Sequence, residues 1–357
     1  MMLAPGASIG ILGTGQLGRM LSSAASKLGF RTAVFGPDAE GSPAAQVTSH
    51  AVAAAYEDDE AVQAFARSVD VVTYEFENVP AATAAAVAQA GTALAPNAEA
   101  LAASQERLRE KELFRTLGVG TVDFWAIENT DDLARALSQA GPSILKTRRF
   151  GYDGKGQASL TGDEDPAAVL EKLGAGPWIL EAKATFTREV SQVAARGQDG
   201  KVVFFDLIDN THKDGILDTS VIPAPACEGL VAKAREATQK VLDALDYVGV
   251  LTVEFFDCDG TLLANEMAPR VHNSGHVTCE ACNVSQFEQH IRAVAGWPLV
   301  EPRTQVPSVM TNVIGSDAEA WQAFAGEPGS SLTLYGKDDA QPGRKMGHIV
   351  RPLKDNQ

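Results

Sequence analysis

Short apolar runs separated by helically spaced segments dominate residues 8–98. "SIGIL" reads as a strand and 16–28 as a helix; "TAVF" is the next strand, followed by a helix near 59–67. "DVVTYEF" (70–76) is a further strand, 80–90 an Ala-rich helix and "TALAP" a last short strand, before Pro96-Asn97 ends the rhythm. Strands alternating with helices in this way predict a parallel, doubly wound sheet. Residues 98–117 keep helical spacing up to Gly118 and predict one long helix. Residues 120–184 predict short strands and one helix, 165–173, with the glycine-dense "FGYDGKGQ" between two strands. From 186 the pattern is strand-like ("TREVSQVAA", "KVVFFDLI", "GILDTSVIPAP"), then an amphipathic helix over about 227–246. A hairpin, "GVLTVEFFDCDGTLLANEMA", and a helix over about 284–295 follow, and 307–357 predict a small α+β piece.

The hairpin carries the first candidate chemistry. Glu254 and Glu266 flank an Asp-Gly turn. A three-residue loop, 258–260, would pair 257 with 261 and place both carboxylates on one face as diagonal neighbours. A two-residue loop would put them on opposite faces. Glu254 sits in the apolar run "GVLTVEFF", where a carboxylate is costly to bury without a compensating cation. Paired oxygen ligands suit Mg²⁺, which keeps waters and bridges to nucleotide phosphates. The alternative is two solvated strand acids.

In "KTRRFGYDGKGQ" (146–157), Gly151, Gly154 and Gly156 lie between strand-like runs. Such a loop lays backbone N–H groups over phosphates, and Lys146, ending the strand "SILK", is placed to meet phosphate oxygens. The pattern differs from a P-loop, and a hairpin tip with solvated bases is the alternative. "NEMAPRVHNSGHVT" (265–278) packs Glu266, Arg270, His272, Asn273, Ser274 and His276 into a short span. The spacing of His272 and His276 would suit zinc only on a helix, which Pro269, Ser274 and Gly275 argue against. A polar active-site floor beside the carboxylates fits better.

Composition narrows the ligands. The 357 residues carry 46 acids against 30 bases, a net charge of −16, with no long basic stripe. That excludes a typical nucleic-acid binder, so anionic ligands need local basic clusters. No apolar stretch reaches the roughly eighteen residues of a membrane span, and no basic stretch precedes the first apolar run as in a secretory signal. Cys227, Cys258, Cys279 and Cys282 form no disulfide framework and suit a reducing cytoplasm. Near the start, "GTGQLG" matches the dinucleotide fingerprint through Gly13, Gly15 and Gly18, with Asp38 about twenty residues on. A NAD-dependent dehydrogenase would use that turn, but such a reading leaves the rest of the chain unexplained.

A Gly-rich loop after a lysine, the acid of "ILEAKA" and two carboxylates on a late hairpin together resemble the ATP-grasp ligases. "NEMAPRVHNSGH", with "GTGQLGRM" near the start and "YGK…GRKMGH" near the end, narrows the resemblance to the branch that carboxylates 5-aminoimidazole ribonucleotide with bicarbonate in purine biosynthesis. It spans about 8–352. The resemblance implies a mixed α/β and α+β ATP-grasp fold: an N-terminal Rossmann-like (pre-ATP-grasp) parallel sheet domain over 1–98, the ATP-grasp domain over 99–296 with a mobile subdomain at about 120–184, and a C-terminal α+β domain over 297–357. It implies ATP and Mg²⁺, two ions, as cofactors, conversion of ATP to ADP and phosphate through carboxyphosphate, and a cytoplasmic homodimer with no nucleic-acid or membrane partner.

The same resemblance distributes roles. Arg107 and Lys146 meet ATP phosphates. Gly151, Tyr152, Asp153, Gly154, Lys155, Gly156 and Gln157 form the phosphate loop. Glu181, Ala182, Lys183 and Ala184 form the adenine hinge; Glu189 holds the ribose, and His212 lines the nucleotide site. Glu254 and Glu266 bind Mg²⁺ with Asn265 beside them. Gln16, Leu17 and Glu75 contact the ribonucleotide, Tyr152 and Asp153 close over it, and Lys337 and Arg344 clamp its 5′-phosphate. Arg270, His272 and Asn273 hold bicarbonate or carboxyphosphate. The competing ATP-grasp assignment is a formate-dependent glycinamide ribonucleotide transformylase, and a non-catalytic relative would lack a metal carboxylate or Lys146.

Overall fold

The computed structural model describes residues 2–149 and 156–354. The first sheet holds β1 (Ser8–Leu12), β2 (Arg31–Gly36), β3 (His50–Ala53) and β4 (Val71–Tyr74), all parallel, in the order β3-β2-β1-β4. Helices α1 (Gln16–Lys27), α2 (Asp59–Arg67) and α3 (Ala81–Gln89) follow β1, β3 and β4, with a 3₁₀ turn, Ala45–Val47, between β2 and β3. β4 is buried at every position, as a parallel strand covered on both faces must be. The strand expected at "TALAP" shrinks to one parallel bridge, Leu94 with Val72. Pro96 lacks a ladder donor, and Asn97 turns the chain by capping the next helix through Ala100 N–H.

The single helix expected over 98–117 is two, α4 (Ala98–Ser104) and α5 (Arg107–Thr116). Glu106 leaves the helical conformation, and its carboxylate accepts the N–H groups of Leu108 and Arg109, each at 3.1 Å. Arg148 forks onto the same carboxylate at 2.6 and 2.9 Å. Helical spacing cannot reveal a break made by a partner forty residues away. The break leaves Arg107, half-buried, as the first residue of α5.

The second sheet is antiparallel, with β5 (Phe124–Ile127), β6 (Ser143–Thr147), β7 (Gln157–Leu160) and β8 (Trp178–Ala182) in the order β5-β8-β6-β7. It carries two helices, α6 (Thr130–Ala140) and α7 (Pro166–Leu173), where one was expected. The signal for α6 is present in the chain: Asn129 caps it, Asp131 and Asp132 occupy its first turn, and Leu133, Ala136 and Leu137 make its buried stripe.

The third sheet is the largest. Its strands are β9 (Arg188–Arg196), β10 (Val202–Phe204), β11 (Ile208–Lys213), β12 (Ile216–Ile222), β13 (Gly249–Cys258), β14 (Thr261–Ala268), β15 (Ser308–Ile314), β16 (Ser331–Leu334) and β17 (Lys345–Pro352). They run β14-β13-β9-β11-β12-β15-β17-β16, with β10 also on β9. "KVVFFDLI" therefore divides between β10 and β11, and the three tail strands extend this sheet through β12 and β15. Helices α8 (Glu228–Ala244), α9 (Thr278–Ala281), α10 (Gln286–Val294) and α11 (Trp321–Ala325) complete the described elements. α1 packs on α10, so one apolar core joins Ile9, Leu17 and Leu21 to Val193, Val250, Phe287 and Ile291.

One buried imidazole fastens the first sheet to the third. Val250 N–H donates to His290 Nδ1 at 3.1 Å, which leaves the ring proton on Nε2 to meet Thr73 Oγ1 at 2.8 Å. Burial pulls the His290 pKa from 6.5 down to about 4. The group therefore contributes its full stability above pH 6.5 and loses it as pH falls through about 4, a difference of about 3 kcal/mol. Thermal unfolding followed from pH 7 to 4 is expected to show this loss, and His290→Gln to flatten it; an unchanged pH slope in the variant would count against the fastening role.

Candidate active site

The β13–β14 hairpin reaches its geometry by a route different from the expected one. The turn has two residues, not three: Cys258 pairs with Thr261, and Asp259 and Gly260 both take positive φ, 51° and 86°. Such a turn suits Asp-Gly. It would put Glu254 and Glu266 on opposite faces. A bulge at Asn265 reverses this: Phe255 pairs with Ala264, yet Glu254 pairs with Glu266. The carboxylates are thus directly opposed on one face, as cross-strand partners rather than diagonal ones.

Glu254 is buried, whereas the Glu266 side chain is 43% exposed. Burial first, and then the nearby Glu266 charge, push the Glu254 pKa from 4.5 up to about 7. Ser191 Oγ lies 3.4 Å from Glu254 Oε1, and Asn210 joins Ser191 to Ser220. His272 Nδ1 is 3.5 Å from the same carboxylate. Across the sheet, His212 Nδ1 lies 2.5 Å from Glu189 Oε2. Burial opposes its protonation, but Glu189, Glu254 and Glu266 together raise its pKa. Among the described residues no group of three or more His, Cys, Asp or Glu side chains is arranged to hold a metal ion. Two opposed carboxylates, one with its pKa raised by burial and then by its neighbour, nevertheless fit a hard divalent cation that finishes its shell with water and phosphate oxygens.

Basic groups approach this pair from the second sheet and from α5. Arg107 Nη1 sits 3.4 Å from Glu266 Oε2. Lys146 Nζ donates to Glu181 Oε2 at 2.7 Å. The Glu181 carboxylate is therefore bound up with lysines; its other oxygen lies 3.9 Å from Lys111. Lys111 is buried and donates to the carbonyls of Ala264 and Asn265, so it holds the bulge itself. Its neighbour Glu110 accepts Met267 N–H at 2.7 Å. Lys111 and Glu110 were not among the expected residues, although "REKELF" places two charges where an apolar face should lie. In the hinge, Ala182 and Lys183 give their N–H groups to the carbonyls of Asp123 and Pro142, and Lys183 projects outward. Gly156 and Gln157 lead into β7; Gly151, Tyr152, Asp153, Gly154 and Lys155 lie outside the described residues.

The other end of the cleft begins at "GTGQLG". Glu75 accepts Gly15 N–H at 2.9 Å and Gly18 N–H at 3.3 Å, at the N-terminus of α1. A Cβ on Gly13 would come within 2.5 Å of that side chain, so glycine is needed there for Glu75 to approach. The protein's own carboxylate occupies the place where a dinucleotide would lay its pyrophosphate. That overturns the dehydrogenase alternative, and Asp38 is simply an exposed turn acid. Gln16 is partly exposed at the turn, but the Leu17 side chain is 7% exposed and packs into the core.

Arg270 pairs with Glu77 and also donates to Val271 O. Burial, then Arg270 and Lys345, push the His272 pKa down to about 3, so its ring is neutral. Contrary to the expectation that this segment avoids helix, Ser274–Val277 forms a 3₁₀ turn leading into α9. Both amide atoms of Asn273 are buried without a partner. Lys337 donates to Lys345 O, and Arg344 to Asp339 O. Burial, Arg344 and Lys345 lower the Lys337 pKa to about 8, a cost that an anion beside it would remove. Lys345 and Glu77 join this group although neither was expected.

A fold of this kind, with a carboxylate pair facing lysine and arginine across two sheets, defines an ATP-grasp protein. The ATP-grasp domain model matches residues 112–287, the ribonucleotide synthetase preATP-grasp domain 7–105, and the phosphoribosylaminoimidazole carboxylase C-terminal domain 308–356. The chain belongs to the N5-carboxyaminoimidazole ribonucleotide synthase family. It is 50% identical over 353 residues to the Brucella melitensis enzyme of that name, covering 98% of this chain and 97% of the relative. A solved ADP complex of an N5-carboxyaminoimidazole ribonucleotide synthetase superposes with a TM-score of 0.94 at 39% identity, covering 99% and 94% of the two chains. The Aspergillus clavatus enzyme, solved with ADP and 5-aminoimidazole ribonucleotide, superposes with a TM-score of 0.90 at 31% identity, covering 98% and 94%.

The raised Glu254 pKa makes a signed prediction for the metal-free protein. A carboxyl whose pKa is raised by folding gives its full stability below 4.5 and loses it as pH rises through about 7. Glu254→Gln is expected to leave the melting temperature nearly unchanged near pH 4.5 and to raise it above wild type by an amount that grows up to about pH 7, equivalent to about 1–3 kcal/mol. Parallel melting curves across that range would contradict the burial of this charge.

Proposed function

We infer that this protein carboxylates 5-aminoimidazole ribonucleotide with bicarbonate at the expense of ATP, giving ADP and phosphate in purine biosynthesis. The observation that carries the reading is one adjacency: Glu254, opposed to Glu266, stands beside His272, whose chain neighbour Asn273 has a buried amide without a partner. Bicarbonate is a poor electrophile, and bound ATP with Mg²⁺ supplies the phosphoryl group and charge neutralisation that activate it.

The chain's residues divide the remaining tasks. Glu254 and Glu266, with Asn265, hold the divalent cations, two by our assignment. Arg107 and Lys146 meet the phosphates, and the backbone near Ala184 receives the adenine. Glu189 takes the ribose, with His212 beside it. Neutral His272 and the Asn273 amide hydrogen-bond bicarbonate and then carboxyphosphate, while Arg270 offsets its charge. Lys337, Arg344 and Lys345 draw the ribonucleotide's 5′-phosphate, and Glu75 and Gln16 receive its ribose, which brings the amine toward the activated carbon. Exclusion of water around Asn273 protects carboxyphosphate from hydrolysis. We assign the domain divisions near residues 98 and 296, a homodimeric assembly and a cytoplasmic setting. Free thiols at all four cysteines agree with that setting.

Three measurements test this reading. ADP release with bicarbonate is expected to rise strongly on adding 5-aminoimidazole ribonucleotide; full activity with formate and glycinamide ribonucleotide instead would replace the assignment. Glu266→Gln is expected to lower Mg²⁺-dependent turnover by about 10²-fold or more while calorimetry still detects ribonucleotide binding; retained turnover would refute the metal role. Lys337→Ala is expected to weaken ribonucleotide binding by about 2 kcal/mol with little effect on ATP, and equal losses for both ligands would refute the clamp.

A further inference from the structure

We propose that Gln286 is a positioning residue whose side-chain amide fixes the 270–276 segment, and that this clamp keeps the activated carboxyl on its way to the amine rather than to water. Gln286 is the first residue of α10 and is fully buried. Its Oε1 accepts His272 N–H at 2.9 Å, and its Nε2 donates to His272 O at 2.6 Å. These two bonds copy the pairing a neighbouring strand would make. The second Nε2 proton goes to His276 Nδ1 at 3.0 Å, which fixes that ring as an acceptor there. One amide thus satisfies one donor and two acceptors of a single segment.

The surroundings make the clamp rigid. Gln286 N–H donates to Thr278 Oγ1 at 3.0 Å, and that hydroxyl donates to Gly275 O at 2.6 Å. Ser285 caps α10 through Glu288 N–H, and the helix packs on α1, β9 and β13 in the central core. Gly275 is the entry for the amide: a Cβ there would lie 2.4 Å from Gln286 Oε1. The two residues whose backbone and neighbours are so held are the ones facing the chemistry. His272 stands 3.5 Å from Glu254, and Asn273 offers an amide with no protein partner at either end. Neither acid nor alkyl reproduces the set: an ionised glutamate donates nothing, a protonated one donates a single proton where two are used, and an apolar residue strands three groups.

The proposal rests on the carboxylation reading, and its test separates the two. ADP formation and incorporation of ¹³C-bicarbonate into the ribonucleotide carbamate, read by NMR, are measured together in wild type, Gln286→Glu, Gln286→Ala and Gly275→Ala. The last displaces the amide without removing it and covers the case in which a Gln286 variant does not fold. Wild type is expected to form one ADP per carbamate. The variants are expected to keep bicarbonate-dependent ADP formation while carbamate falls, so that the ratio rises severalfold and up to the order of 10². A folded variant whose two rates fall together, at the wild-type ratio, would overturn the clamp, because a loss of active fraction alone leaves the ratio unchanged. Coupled wild type beside coupled variants therefore sinks this proposal only; wild type that forms ADP but no carbamate sinks the carboxylation reading and the proposal with it.

Discussion

Two carboxylates opposed across a strand pair repel each other, and one of them is buried where water cannot screen it. That repulsion organises much of the described structure around Glu254 and Glu266. Arg107 reaches Glu266 because Glu106 and Arg148 break a helix just before it. Lys111 gives up contact with water to hold the carbonyls of the bulge on which the pair depends. His212 is kept more readily protonated by the same local negative field. A cation between the carboxylates would convert the repulsion into binding, so that the free energy spent in burying Glu254 would be recovered on its arrival.

The cleft is also divided by sign. Glu75 and Glu77 sit at the ends of the parallel strands, and Lys337, Arg344 and Lys345 come from the tail strands and their connection. Arg270 stands between the two groups, paired to Glu77 and felt by Glu75. An acidic chain thus gathers bases locally at this end of the cleft, which is what a net charge of −16 demands of any site for phosphates.

The parts of this architecture that depend on local pattern were legible in the chain. The βαβ rhythm of 8–90, the helix near 228–244 and the β13–β14 hairpin follow from apolar spacing and turn residues. The helix α6 was legible too, since Asn129 and the Leu133, Ala136 and Leu137 stripe announce it. What spacing could not reveal depends on distant partners. Glu106 stops a helix only because it caps α5 and meets Arg148. Leu17 follows a fingerprint glycine pattern, yet the packing of α1 on α10 turns it into the core. Gln286 lies in an ordinary amphipathic stretch, and its importance comes from a loop ten to fourteen residues away. Glu75 overrides the fingerprint itself by filling the turn that the glycines open.

The hairpin has a consequence for how this site tolerates change. A two-residue turn shifts the reading frame of β14 by one position relative to β13, and the extra residue at Asn265 shifts it back. Glu266 faces Glu254 only because the two shifts cancel. Were β14 to pair regularly past Ala264, Asn265 would face Glu254 and Glu266 would turn to the other side of the sheet; the bulge alone prevents this. The site therefore constrains how β14 pairs rather than how many residues separate the two acids: a chain one residue shorter at the bulge keeps them face to face, whereas one of the same length that straightens parts them.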